Sequence, residues 1–163
     1  MTQSNPHRLS AAYQQAGYAV MHSVIEGNSD RIVTVTIAPS QRALGYTQFR
    51  PKDEQRTPTA DEIKQEGLIA MAGLVALQEL GTENPTTSCS VGLIRAHQIA
   101  ERYVFVTEGP GPDRGPKITE VLDAWKTECT ALVAANKDKI AKVRDALLER
   151  DTLTADDVTA LLG

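Results

Sequence analysis

Few side chains in this sequence of 163 residues could do metal or nucleophilic chemistry. The chain has three histidines, His7, His22 and His97, and two cysteines, Cys89 and Cys129. Two cysteines cannot form a metal site alone, and they do not suggest a secreted disulfide scaffold. Cys89 and His97 could act as nucleophile and base, but eight residues on one helix span about 12 Å. We therefore expect Cys89 to be a small buried thiol and His97 to be an exposed histidine. We expect His22 to be a surface or partly packed residue rather than a metal ligand.

Composition indicates one domain, residues 1–163, with a reducing cytoplasmic environment as the expected location. Hydrophobic residues make up 41% of the chain, and the formal net charge is -4. This charge, with no basic run, argues against general nucleic-acid binding. The longest nearly continuous apolar stretch, residues 68–77, is shorter than the roughly 20 residues of a membrane span. The first ten residues show no signal-peptide pattern.

Hydrophobic periodicity predicts a mainly α-helical α+β fold, a helical bundle with a small β-sheet near the N-terminal half. Aromatic residues are only 4% of the chain, so the core is expected to consist of small and aliphatic residues on closely packed helices. Thr59 with Glu62, and Thr154 with Asp157, have the spacing of helix caps. The predicted elements are helix 6–25, strands 31–38 and 44–49, helix 60–80, a helix around 93–104, and C-terminal helices between 116 and 163. A Gly- and Pro-rich loop joins the part at about 6–107 to the part at about 116–163.

Read in order, several segments resemble the peptidase domain of FtsH-type membrane zinc proteases. Residues 10–20 read SAAYQQAGYAV, where that family normally has AAYHEAGHAV. Residues 35–39 and 43–47 read VTIAP and ALGYT, close to the family's VTIIP and ALGYT. Weaker helical matches extend the resemblance to about residues 8–162. It implies the family's fold, a zinc-dependent peptidase site and assembly into rings.

The departures from the family motif fall on the residues that the family's chemistry needs. The resemblance places the two zinc-binding histidines at Gln14 and Tyr18, the general base at Gln15 and the third, acidic ligand at Gly92. An amide is a poor zinc ligand, a phenol with a pKa of ~10 stays protonated, and glycine has no side chain. Gln15 cannot usefully accept a proton. We therefore predict a degenerate site with no catalytic residue, no metal ligand and no cofactor.

One functional element of the family does not depend on zinc. The resemblance implies that the substrate backbone adds to an edge strand beside the zinc site, and a strand of this kind can bind an extended peptide without cleaving it. The matching residues are Ala43, Leu44, Gly45, Tyr46 and Thr47. The alternative is that this strand is simply part of the sheet or is covered by another subunit.

These observations predict a catalytically inactive, FtsH-peptidase-like binding or regulatory module. The sequence contains no phosphate-binding loop and no membrane helix, so we expect the chain to lack an ATPase motor. Expected partners are an extended peptide, a second copy of the chain or an active FtsH-type protease, with no nucleic acid and no membrane span. One alternative is a hydrolase with a relocated site near Gln14, Tyr18, His22 and Cys89. Another is a purely structural module.

Overall fold

The computed structural model describes residues 6–40, 43–53, 56–81 and 90–163, and this part of the chain is mainly helical with one small antiparallel sheet. The mainly α-helical α+β fold predicted from the sequence is confirmed. In chain order the elements are α1 (Pro6–Glu26), β1 (Ile32–Thr36), β2 (Tyr46–Phe49), α2 (Ala60–Leu80), α3 (Ser90–Glu108), α4 (Arg114–Ala135), α5 (Lys137–Arg150), β3 (Thr152–Thr154) and α6 (Ala155–Leu162). No helix among the described residues has the length and apolarity that crossing a membrane requires.

The centre of the fold is the close contact of α1 with α2. Helix α2 begins at the predicted capping box, in which Thr59 and Glu62 satisfy each other's backbone N–H groups. Its second half is almost completely buried, as its apolar sequence predicts. A Cβ atom on Gly17 of α1 would lie 2.6 Å from Cβ of Ala76 and 2.8 Å from the carbonyl oxygen of Ala72. Glycine at position 17 therefore lets the two helix backbones approach closely.

The sheet packs against α1, and its strand order is β2-β1-β3. Val35 of β1 is opposite Thr47 on one side and Leu153 on the other. β2 begins at Tyr46 rather than at the predicted residue 44, and the short β3 was not predicted. Because β1 takes the middle position, one side of β2 is left as an edge of the described sheet.

The C-terminal helices pack against both central helices and hold α1 in place. The ring of Trp125 on α4 is buried and lies directly on Gly67 of α2. From α5, Arg144 donates a hydrogen bond of 2.6 Å to the hydroxyl of Tyr13 and its guanidinium lies over that ring. The outer face of α1 is thus supported, while its other face is turned towards β2 and α3.

Candidate functional site

A cavity of 420 Å³ lies between α1, α2, α3 and the segment that leads into β2. It is lined by all four residues that the resemblance places at the former zinc site: Gln14, Gln15, Tyr18 and Gly92. The first three lie on one face of α1, and Gly92 lies near the start of α3. The structure therefore brings together residues that are more than 70 positions apart in the sequence.

Tyr18 occupies the space next to Gly92 that a side chain at position 92 would need. A Cβ atom on Gly92 would lie 2.6 Å from Oη of Tyr18 and 2.9 Å from the carbonyl oxygen of Ala70. The phenol ring also lies on Gly73, where a Cβ atom would be 2.6 Å from Cε2 and Cζ. Two glycines, one on α2 and one on α3, thus make room for the tyrosine, since any larger side chain there would collide with it.

The two glutamines form a neutral, almost fully buried part of the cavity wall. Gln14 is 6% exposed and Gln15 is 4% exposed. Oε1 of Gln15 accepts a hydrogen bond of 2.8 Å from the hydroxyl of Thr47 on β2. This bond joins the position predicted for the general base to the edge strand.

His22 is fully buried, so the prediction of a surface or partly packed histidine is wrong. Its side chain lies four residues beyond Tyr18 on the same inward face of α1, and only 1% of it is exposed. The imidazole stacks on the ring of Phe49 with 4.4 Å between centroids and 9° between planes. Neither ring nitrogen makes a hydrogen bond within the described residues, and Nε2 lies 3.3 Å from Oε2 of Glu26. Burial lowers the pKa of His22, Glu26 opposes that shift, and Arg31 and Lys52 add to it, so the fold favours the neutral ring.

One turn beyond His22 on α1, the cavity wall includes the carboxylate of Glu26, which two basic side chains contact. Glu26 accepts a hydrogen bond of 2.5 Å from Nη1 of Arg31, while Nζ of Lys52 lies 3.5 Å from the same oxygen. Gln14, Tyr18, His22 and Glu26 follow each other at intervals of four residues, a spacing that could have identified Glu26 from the sequence. Arg31 and Lys52 come from the chain on either side of the first hairpin, and no sequence signal pointed to them.

A second carboxylate of the cavity wall, Glu66 on α2, contacts two basic side chains of α3. Oε2 of Glu66 accepts a hydrogen bond of 2.8 Å from Nη2 of Arg102, and Nη2 of Arg95 lies 3.7 Å from Oε1. Glu66 and Arg95 line the cavity, and Arg95 is 63% exposed. These residues were not predicted as part of the site.

All five residues of the predicted peptide-binding edge line the cavity: Ala43, Leu44, Gly45, Tyr46 and Thr47. Only Tyr46 and Thr47 belong to β2, and the other three precede the strand. A Cβ atom on Gly45 would lie 2.6 Å from the carbonyl oxygen of Thr36, so glycine allows this segment to lie close to β1. Leu44 and Tyr46 are exposed beside the opening of the cavity.

The two cysteines and His97 lie outside the cavity or outside the described residues. Cys129 is buried on α4, and burial raises the pKa of its thiol to about 12. His97 is exposed, as predicted, with Nδ1 3.6 Å from Glu101. Cys89, which the hydrolase alternative uses, lies outside the described residues. Within the described ranges, no group of three or more His, Cys, Asp or Glu side chains is placed to hold a metal ion.

Comparisons with known proteins agree with the resemblance seen in the motifs. The model of Peptidase family M41 matches residues 1–108. The chain is 30% identical to the ATP-dependent zinc metalloprotease FtsH 4 of Sorangium cellulosum, an alignment that covers 100% of this chain and 30% of the relative. It is 25% identical to the mitochondrial inner membrane m-AAA protease component YTA10 of Saccharomyces cerevisiae, with 98% of this chain and 24% of that protein covered. The chain thus spans less than a third of the length of these relatives.

Proposed function

Because the chain belongs to peptidase family M41, we propose that it is a peptidase domain that has lost the zinc chemistry and kept the ability to bind an extended peptide. The relatives that it matches are described as zinc metalloproteases. The observation that carries the proposal is the position of Tyr18, whose hydroxyl lies 2.6 Å from where the Cβ atom of a side chain at residue 92 would be.

The donor atoms around this position do not fit a zinc ion. Zinc in proteins is bound by thiolate, imidazole or carboxylate groups. The motif positions offer the amide of Gln14, the phenol of Tyr18 and no side chain at Gly92. The phenol also fills the space through which a third ligand from α3 would reach the other two. We therefore derive no catalytic step that passes through a metal.

The position of the general base is also unsuited to hydrolysis. Gln15 is uncharged, and its carbonyl oxygen is held by the hydroxyl of Thr47. An amide does not take up a proton near neutral pH, so it cannot activate a water molecule. His22, the one titratable imidazole in the cavity wall, has its pKa lowered by burial and stacks flat on Phe49.

Peptide binding is supported by the edge of β2 and the open cavity beside it. An unpaired strand edge can add the backbone of an extended chain, and pockets beside it accept alternate side chains. A volume of 420 Å³ is within the usual range of ligand pockets, about 300–1,000 Å³. The proposed ligand is an extended segment of a partner protein, and an active FtsH-type protease or a second copy of this chain are the partners that family membership favours.

Binding can be tested with three capped, fluorescein-labelled peptides of eight residues, in which Thr alternates with Glu, Gln or Lys. Anisotropy should show saturable binding of at least one peptide. Two further versions of the binding peptide carry N-methyl groups on either the odd-numbered or the even-numbered backbone nitrogens. Only one of these versions should lose binding, because a strand pairs with its neighbour through alternate N–H groups. Unchanged binding of both methylated versions, or no binding by any of the three peptides, would contradict the proposal.

A matched pair of variants can locate the binding site. Val91 lines the cavity and is 70% exposed, so Val91→Trp should obstruct the opening without disturbing the core. Ile94 is similarly exposed on the same helix but does not line the cavity, and Ile94→Trp serves as the control. We expect weaker binding for the first variant only. Equal affinity in both variants would place the peptide elsewhere.

A further inference from the structure

The charges around the cavity indicate which extended peptides it prefers. Two carboxylates of the cavity wall each contact two basic side chains: Glu26 contacts Arg31 and Lys52, and Glu66 contacts Arg95 and Arg102. Of these residues, the ones that line the cavity are three basic ones, Arg31, Lys52 and Arg95, and the two glutamates. The wall therefore has a local excess of positive charge, although the chain as a whole carries a net charge of -4.

In each group one basic side chain is held closely and the other only loosely. Arg31 and Arg102 contact their carboxylates at 2.5 and 2.8 Å, which are hydrogen-bond distances. Lys52 and Arg95 lie 3.5 and 3.7 Å from the same carboxylates, beyond good hydrogen-bond length. Since Arg31 and Arg102 already neutralise the two glutamates, Lys52 and Arg95 are the groups that can turn to a ligand at little cost.

Lys52 and Arg95 both line the cavity. Lys52 is partly covered, with 33% of its side chain exposed, and Arg95 extends into solvent. The wall also contains the uncharged side chains of Gln14, Gln15 and Tyr18. The cavity therefore combines neutral polar groups with two loosely held cations.

We propose that the cavity selects extended segments that carry acidic side chains, with Lys52 and Arg95 as the two carboxylate-binding residues. This inference rests on the proposed peptide-binding function and adds its specificity. Arginine can hold a carboxylate through two parallel hydrogen bonds, and lysine through its ammonium group. The ligand is a protein segment in which acidic residues alternate with small or polar ones, so that the carboxylates lie on the side that faces the cavity.

The three alternating peptides test this preference, because Glu and Gln have the same shape and differ in charge. Both ends are capped, so only the side chains carry the difference. In about 50 mM NaCl we expect the Glu peptide to bind best and the Lys peptide worst, and the difference between Glu and Gln should shrink at about 500 mM NaCl because salt screens exposed charges.

Substitutions then assign the preference to the two residues. Lys52→Gln and Arg95→Gln should each weaken binding of the Glu peptide by about threefold to fivefold, the range of a partly exposed ion pair, and leave the Gln peptide unchanged. Lys142→Gln, an equal change of charge at an exposed position on α5, should have no effect. Equal binding of Glu and Gln peptides would overturn the inference and leave the peptide-binding function standing. Absence of binding by all three peptides would overturn both.

Discussion

The hydroxyl of Tyr18 and a side chain at position 92 compete for one space, since a Cβ atom on Gly92 would lie 2.6 Å from Oη. In the family motif, histidine stands at the first position and an aspartate at the second. The larger residue on α1 and the smaller residue on α3 therefore compensate each other in volume. Tyr18 therefore takes up the space beside Gly92, and the remaining cavity lies next to it.

This competition predicts that Gly92→Ala destabilises the protein and that Tyr18→Phe relieves part of the cost. An added methyl group in a packed site costs about 1–3 kcal/mol. Removing the tyrosine oxygen takes away the nearest contact, although the carbonyl oxygen of Ala70 remains at 2.9 Å. A double-mutant cycle by urea denaturation should give a coupling of about 1 kcal/mol. Additive free energies of unfolding would show that the two positions do not share the space.

The hydrogen bond between Thr47 and Gln15 predicts a specific loss in Thr47→Val. This change keeps the shape of the side chain but removes the donor from the buried carbonyl of Gln15, which costs about 1–3 kcal/mol. Thr47→Ser keeps the hydroxyl and is the matched control. Chemical denaturation should give a clearly higher free energy of unfolding for Thr47→Ser than for Thr47→Val. The reverse order would mean that this bond does not hold the edge strand to α1.

The burial of His22 predicts that the protein loses stability as the pH falls below the ordinary histidine pKa of about 6.5. The folded state lowers the pKa of His22, so the unfolded state takes up the proton first and stability is greatest at higher pH. His22→Gln should show a shallower loss between about pH 7.5 and 5.5. His97→Gln, a change of an exposed histidine, should keep the wild-type profile. Identical profiles for wild type and His22→Gln would contradict this assignment.

The contact between Gly67 and Trp125 predicts opposite effects for two glycine substitutions. Gly67→Ala would drive a methyl group into the indole ring and should destabilise the protein by about 1–3 kcal/mol. Gly115, in the first turn of α4, has open space around its Cα atom. Gly115→Ala should therefore be neutral or stabilise the helix by up to about 1 kcal/mol. Thermal unfolding of both variants tests the packing of α2 against α4, and a stable Gly67→Ala variant would contradict it.

The sequence predicts the helices well because their signals are local. Helix α2 has the predicted bounds, since Thr59 and Glu62 mark its start and Gly81 its end. β3 was missed because it has three residues and is defined by pairing with β1, more than 100 positions earlier. Strand β2 starts later than predicted because Gly45 lies tight against the backbone of β1, before regular pairing begins.

The motif residues of the candidate site were predicted, and its charged residues were missed. The motif identifies Gln14, Gln15, Tyr18 and Gly92, and the structure places all four in one cavity. Lys52 and Arg95 belong to segments that are distant in the chain, and exposed basic residues carry no sequence pattern that would join them. The burial of His22 was not predicted, because it depends on Phe49, a residue of the sheet.

The claim that the zinc site is lost can be tested by the zinc content of the purified chain, measured by mass spectrometry after incubation with excess zinc and dialysis. We expect well below one zinc ion per chain and no peptide cleavage that a chelator blocks. A variant with Gln14→His, Gln15→Glu, Tyr18→His and Gly92→Asp, which restores the family's residues, should retain more zinc than the wild type if it folds. One zinc ion bound per wild-type chain, or chelator-sensitive cleavage by it, would contradict the claim.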